Sequence, residues 1–384
     1  MHVVPALFFS TLTGFASSTN PTGPQRTPDD LRREVVRGHA EWCHRVYAAC
    51  ARRAEALDES VKRFAAAPSE SGLEAARAAW IHARRVYGLS EALRFCDGPI
   101  EAVEPSLNAW PIDEAYIDSV VGRPDSGIVN DAARFPQIGS AVLRVANERG
   151  GETNISIGWH AVEFMLFGQD HDPDGPGRRP WTDFVEGRAK NAVRRAEYLR
   201  AVTSLLPPTL TDLANAWTPD SAHGRREFES DPATAIRKMF TGAIVLTSFE
   251  LHGERLGVAY ETKDQEQEHS CFSDTSHLDL QANQAGIVAI FAGEHDGVRH
   301  GPGLTAYVRV EDAAVADDVQ AKLARTTEAL RAIPAPFDRA MRGPDDGAGR
   351  LAIRAALDAL AEQTDAIAVA GRKLGLTLPL EPGG

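Results

Sequence analysis

The sequence predicts an all-α protein made of two helical bundles. Three observations carry that expectation: apolar residues recur at helical spacing along most of the 384-residue chain, strand signals are sparse, and the order of elements repeats after a Pro- and Gly-rich stretch in mid-chain. The length gives room for two domains, each with its own core. We divide it into a leader and lead-in at 1–28, a first bundle at 29–174 and a second at 175–384.

The leader comes first. Val3 to Ala16 (VVPALFFSTLTGFA) is short, apolar and followed by Ser17-Ser18, which resembles the hydrophobic region and cleavage zone of a secretory signal, although only His2 stands where Lys or Arg is usual. The first cysteine is Cys43, so lipid attachment at the cleavage zone is not expected. Thr19 to Pro28 reads as a flexible lead-in. From Asp29 to Asp58, Leu31, Val35, Val36, Trp42, Val46, Tyr47 and Ala54 recur on one helical face. Ser71 to Phe95 forms the second helix, with Leu73, Ala76, Trp80, Ala83, Tyr87 and Leu93 as its stripe, Ser69 or Ser71 as its cap and Cys96-Asp97-Gly98-Pro99 as its stop. Ala109 to Val121 holds a short helix with an acidic first turn. Asp131 to Arg149 and Ser156 to Gly168 are expected as two more.

His171 to Pro180 (HDPDGPGRRP) reads as a linker. Beyond it, helices are expected at Trp181–Leu206, Asp231–Leu256, Ser276–Phe291, Glu311–Ala332 and Gly349–Leu374. A loose likeness between YGLSEALRF (Tyr87–Phe95) and LTSFELHGERL (Leu246–Leu256) suggests halves of common plan. Thr305 to Val310 (TAYVRV) alternates like a strand, but no neighbouring run offers it a partner.

Composition narrows the function. A hydrophobic share of 43% with 25% charged residues is that of a globular protein. A formal charge of −13 argues against a nucleic-acid partner, whose phosphates are met by clustered Lys and Arg, and suits a cationic ligand better. No apolar run is long enough for a membrane-spanning helix. The cysteines, Cys43, Cys50, Cys96 and Cys271, lack the spacing of a zinc ribbon or redox pair. Cys43 and Cys50 are two helical turns apart, roughly 10 Å, too far to bridge. Disulfides between segments and buried free thiols both satisfy the pattern.

The most informative residues lie in GWHAVEF (Gly158–Phe164). On a helix His160 and Glu163 share a face, with Cβ atoms about 5–6 Å apart, so both can reach one cation. The plain alternative is a core histidine hydrogen-bonded to its neighbour. Because Trp159, Phe164, Met165, Leu166 and Phe167 flank the pair, an unpaired Glu163 would be costly, and a metal, an arginine or His160 must meet it. A second cluster holds Glu91, Arg94, Glu101, Glu104, Asp113 and Glu114; capping and surface ion pairs explain it unless one or two face inward. A third, ETKDQEQEHSCFSDTSHLD (Glu261–Asp279), gathers Glu266, Glu268, His269, Cys271, Asp274, His277 and Asp279, and there Ser273, Asp274 or Ser276 is expected to cap the following helix. H-E-x-x-H, G-x-S-x-G, a phosphate-binding loop and C-x-x-C-H are all missing, and H-x-x-E lacks the spare base of a zinc hydrolase.

At these residues the chain resembles the imelysin family of bacterial cell-envelope proteins, also called insulin-cleaving membrane proteases, and within it the iron-regulated protein A branch. Gly158, His160 and Glu163 match the family's G-x-H-x-x-E. The branch likeness rests on Leu93–Asp118, Gly175–Phe184 and Gln265–Ile287. The resemblance implies two helical domains related by a pseudo-twofold with the motif near their interface, export to the periplasm or outer membrane, and a role in iron or haem acquisition. It makes His160 and Glu163 the candidate metal residues, with Asp113 and Asp274 as further donors and Glu91, Arg94, His269 and His277 lining the ligand site. The expected ligand is a divalent iron or zinc ion, or haem; the expected partner is an outer-membrane receptor or another envelope protein. A metallopeptidase and a metal-free scaffold are the alternatives.

Overall fold

The computed structural model describes residues 27–172 and 175–383, and its longest helix organises the rest. Helix α1 (Pro28–Ala66) begins at a reciprocal cap: Asp30 N–H donates to Thr27 Oγ1 at 3.1 Å and Thr27 N–H to Asp30 Oδ2 at 3.1 Å. Its apolar face continues past Asp58 through Val61 and Phe64, which is why the helix outruns its expected end. The signal-like Val3–Ala16 lies outside the described residues. Helix α2 (Glu70–Gly88), capped by Ser69 as expected, packs along α1 and tightens into 3-10 turns at Leu89–Leu93.

Between α2 and the motif the chain is mostly turns, with the short helices α3 (Glu104–Asn108), α4 (Glu114–Ile117) and α5 (Ser140–Ala146). The helix expected over Asp131–Arg149 is reduced to α5. Pro136 has no N–H to give to a helix and disfavours helical geometry at Phe135, so the chain enters α5 only after Gly139. Helix α6 (Trp159–Phe167) is bounded by Gly158 and Gly168, both at positive φ (95° and 77°), and every one of its residues is buried.

The linker stretch does not hang free. Gly177 N–H donates to Phe272 O at 2.9 Å and Arg179 N–H to Phe167 O at 2.8 Å, while the Arg179 guanidinium meets buried Asp118 at 2.9 Å. The helix expected over Trp181–Leu206 divides. Trp181–Phe184 is a 3-10 turn, Asn191 in left-handed geometry precedes α7 (Ala192–Thr203), and Pro207 and Pro208 open a separate α8 (Leu206–Ala216). After α9 (Arg225–Ser230), α10 (Pro232–Val245) passes into a π-helical stretch, Leu246–Gly257, and then α11 (Val258–Thr262). Helix α12 (Ser276–Ala292) runs through the centre, followed by a two-residue hairpin, β1 (Glu294–His295) with β2 (Val298–Arg299).

Thr305–Val310 is helical, inside α13 (Leu304–Glu311): Leu304 and Val308, one turn apart, are both fully buried, so the period that decided was the helical one. Helices α14 (Ala313–Arg331), α15 (Phe337–Arg342) and α16 (Ala348–Lys373) complete the chain. Buried apolar residues from Leu31 to Ala370 join in one continuous core. The four cysteines are free thiols, and none of the described helices is long and apolar enough to cross a membrane.

Candidate functional site

The site grows from three segments that reach the same buried volume: the face of α2 around Arg84, helix α6, and residues 268–279 leading into α12. Gly158 sets the first constraint. At φ 95° a side chain is strained, and an added Cβ would sit 2.7 Å from Leu107 O. The motif's glycine is therefore a backbone requirement, and it lets α6 begin hard against α3. The Trp80 indole N–H donates to Trp159 O at 3.0 Å and ties α6 to α2.

One turn on, His160 Nδ1 lies 2.9 Å from Glu163 Oε2, and both side chains are buried. The other carboxyl oxygen, Oε1, accepts from Ser273 N–H at 3.0 Å and from the Ser273 hydroxyl at 2.6 Å. Burial raises the Glu163 pKa to about 8 against the opposing pull of Ser273. Burial, with Arg84 and His269 nearby, lowers that of His160 well below the ordinary imidazole value. His160 Nε2 is buried with no hydrogen-bond partner among the described residues, and the ring of His269 lies beside it at 4.8 Å between centroids.

Arg84 organises a second set of contacts beside this pair. Its Nε donates to Asp279 Oδ1 at 3.2 Å, its Nη2 lies 3.1 Å from His269 Nδ1, and its Nη1 donates to Asn108. Ser270 donates to the other Asp279 oxygen at 2.6 Å. Asn108 Nδ2 reaches Glu91 Oε1 at 3.4 Å, and Glu91 in turn accepts from Arg255 at 2.5 Å and Arg94 at 3.0 Å. Glu104 and Glu250 complete this end, at 3.3 Å from Arg94 and 3.0 Å from Arg255. Burial would raise the Glu91 pKa, but Arg94 and Arg255 outweigh it and hold the group at about 2. Polar contacts thus run from Glu250 on the π stretch to Asp279 and Ser270, and the His160–Glu163–Ser273 set meets them through the ring contact of His160 with His269.

Two expected donors lie elsewhere. Asp113 caps α4 through Ala115 N–H at 3.0 Å and faces Arg123 at 3.6 Å near the surface, because its acidic first turn serves the helix. Asp274, at φ 55°, lies with Asp170 and Asp338; burial and these like charges raise its pKa to about 8. His277 is half-buried near Arg85, outside the His160 group. Ser273, Asp274 and Ser276 do not cap α12: Thr275 precedes it without a side-chain cap, Ser273 is spent on Glu163, and the Ser276 hydroxyl accepts from Ser270 N–H at 3.0 Å. His269, Glu91 and Arg94 do join the network. Among the described residues, no three His, Cys, Asp or Glu side chains converge as a metal centre requires.

Arg84 and Arg255 are the residues that the sequence reading missed. Both carry a signal: Arg84 falls one turn after Trp80 and Arg255 one turn after Leu251, each on a buried helical face where an arginine must find an acid.

Similarity to known proteins agrees with this architecture. The chain is 24% identical over 326 residues, 84% of its length and 80% of the relative's, to iron-regulated protein A of Synechococcus elongatus. Its fold matches the crystal structure of a protein described as an iron-regulated protein A precursor from Parabacteroides distasonis, with a TM-score of 0.70 at 20% identity over 92% of this chain and 96% of that one. It also matches an imelysin-like protein from Psychrobacter arcticus, with a TM-score of 0.66 at 16% identity over 92% and 98%. The sequence model of the imelysin family matches residues 43–367, so the site described above is that of a chain that belongs to the imelysin family.

Proposed function

We propose that this chain is an exported cell-envelope protein of bacterial iron acquisition that binds its ligand, and does not cleave peptides, at the buried site around His160. The observation that carries this reading is His160 Nε2, a buried ring nitrogen without a partner among the described residues, where an unmet polar atom is costly. In this reading the two members of the motif do different work. His160 supplies the donor atom; Glu163, fixed by Ser273, gives up its proton as the metal binds and orients the imidazole by accepting from Nδ1–H, as carboxylates behind metal-bound histidines do. Imidazole nitrogen suits iron or zinc. Since no third His, Cys, Asp or Glu among the described residues closes the set, the remaining ligands come with the cargo, as in an iron chelate. The name of the Synechococcus relative supports iron, and the signal-like leader supports export and an envelope partner. We place the junction of the expected bundles, 29–174 and 175–384, at this same site. Against a peptidase reading, Glu163 is already committed to Ser273 and His160.

The test is metal content and calorimetric titration with ferrous and zinc ions, each free and as a citrate chelate, on protein purified without chelator. Wild type should take up one equivalent, His160→Ala should lose it, and Glu163→Gln should bind about 10–100-fold more weakly. Absence of uptake in every arm would sink the reading.

A further inference from the structure

A second feature lies outside the buried network, where α2 and α12 meet solvent. Helices α1, α2, α12 and α14 and the β1–β2 hairpin enclose a groove of about 490 Å³, within the range of small-molecule sites. Three arginines line it from three different helices: Arg53 of α1, Arg85 of α2 and Arg331 of α14, all exposed. None of the three has a carboxylate within ion-pair distance among the described residues. In a chain of net charge −13 this local excess of positive charge runs against the whole. The one acid on the groove wall, Asp296, lies 3.4 Å from His295. The hairpin that carries both is braced by Trp42, whose ring lies 5.1 Å from that of His295. By contrast, another groove of about 480 Å³ is lined by Asp97, Glu227 and Asp231 with Lys238 as its lysine.

Unpaired guanidinium groups converging on one concavity are the chemistry of anion recognition, since each offers a planar fork of donors to a carboxylate or phosphate. The floor between them is apolar, with Leu89, Leu278 and Leu330 beneath, and His82 and Gln281 add polar groups at the wall. We propose that this groove binds a small organic polyanion: a short carbon skeleton, seated on the leucines, that carries two or three carboxylate or phosphate groups for Arg53, Arg85 and Arg331. Arg84 and Arg85 then divide α2 by function, the first closing the interior network and the second facing the groove. This inference is independent of the role proposed for His160.

The test is calorimetric titration of the full chain at low salt with citrate, with fructose 1,6-bisphosphate and with acetate as the monovalent control. Citrate or the bisphosphate should bind at least tenfold more tightly than acetate, and the tighter of the two identifies the preferred anionic group. Each single substitution, Arg53→Gln, Arg85→Gln or Arg331→Gln, should weaken binding about 10-fold or more, in line with the loss of one charge-assisted hydrogen-bonded contact. The triple variant should abolish it, and His160→Ala should leave it unchanged. All three arginines are exposed, so the variants should keep the wild-type Tm, which is measured alongside. Failure of both polyanions to bind at 10-fold below the acetate concentration, or their undiminished binding to the triple variant, overturns the proposal.

Discussion

Gly158 shows how much a single residue of the motif decides. Its positive φ and its approach to Leu107 O leave no room for a Cβ, so Gly158→Ala combines backbone strain with a steric conflict. We predict a loss of at least about 1–3 kcal/mol in denaturant unfolding; a variant within 0.5 kcal/mol of wild type, in the range of an ordinary surface change, would refute this account of the glycine. His160 and Glu163 were legible in the sequence as a helical pair, and so was the plain alternative in which they bond to each other. The structure contains that bond and adds what spacing cannot carry. Ser273, 110 residues further along the chain, satisfies the other half of the carboxyl group. Asp113 and Asp274 mark the limit of reading donors by type, since identical side chains serve as a cap in one case and join a buried carboxylate group in the other.

At the scale of elements, α2 and α12 are joined by one buried ion pair as well as by apolar packing. Arg84 and Asp279 are each about 2% exposed, and removing only the arginine strands a carboxylate together with His269 and Asn108. Arg84→Ala should therefore cost about 3–5 kcal/mol. Arg84→Met with Asp279→Leu, which removes both charges and keeps volume, should cost clearly less than the two single changes together; additive energies in the double-mutant cycle would show the pair is not coupled. The long helices were legible because their stripes are long: α1, α2, α12, α14 and α16 fall within a few residues of expectation except where α1 runs on and where α2 gives way to 3-10 turns after Gly88. Local breakers hid the rest. Pro136, the positive-φ Asn191 and the Pro207-Pro208 pair each divide or shorten a run whose apolar pattern alone looks continuous.

For the whole molecule, the buried ionisable groups set a pH dependence. Glu163 has a pKa of about 8 in the fold against 4.5 as its ordinary value, so the folded state keeps a proton that the unfolded state releases. Its stabilising contribution is complete below about 4.5 and is lost as pH rises to about 8; Asp274, also near 8, acts in the same sense. His160 and His269 act oppositely, since their pKa values are lowered in the fold and the unfolded state takes up protons below about 6.5. Below 6.5 the two sets oppose each other; from about 6.5 to 8 only the carboxyls titrate. We expect the Tm to fall across that window, less steeply in Glu163→Gln; a wild-type Tm that rises or stays level there would contradict the assignment. The sequence by itself determined the all-α class, the family and the central pair, because helical periodicity and a short motif are local properties of the chain. Only the tertiary structure decided that Glu163 answers to Ser273, that Arg84 and Arg255 stitch the interior, and that Arg53, Arg85 and Arg331 share one groove. Those outcomes depend on which helical faces pack together, and a residue's own neighbours in sequence carry no record of that.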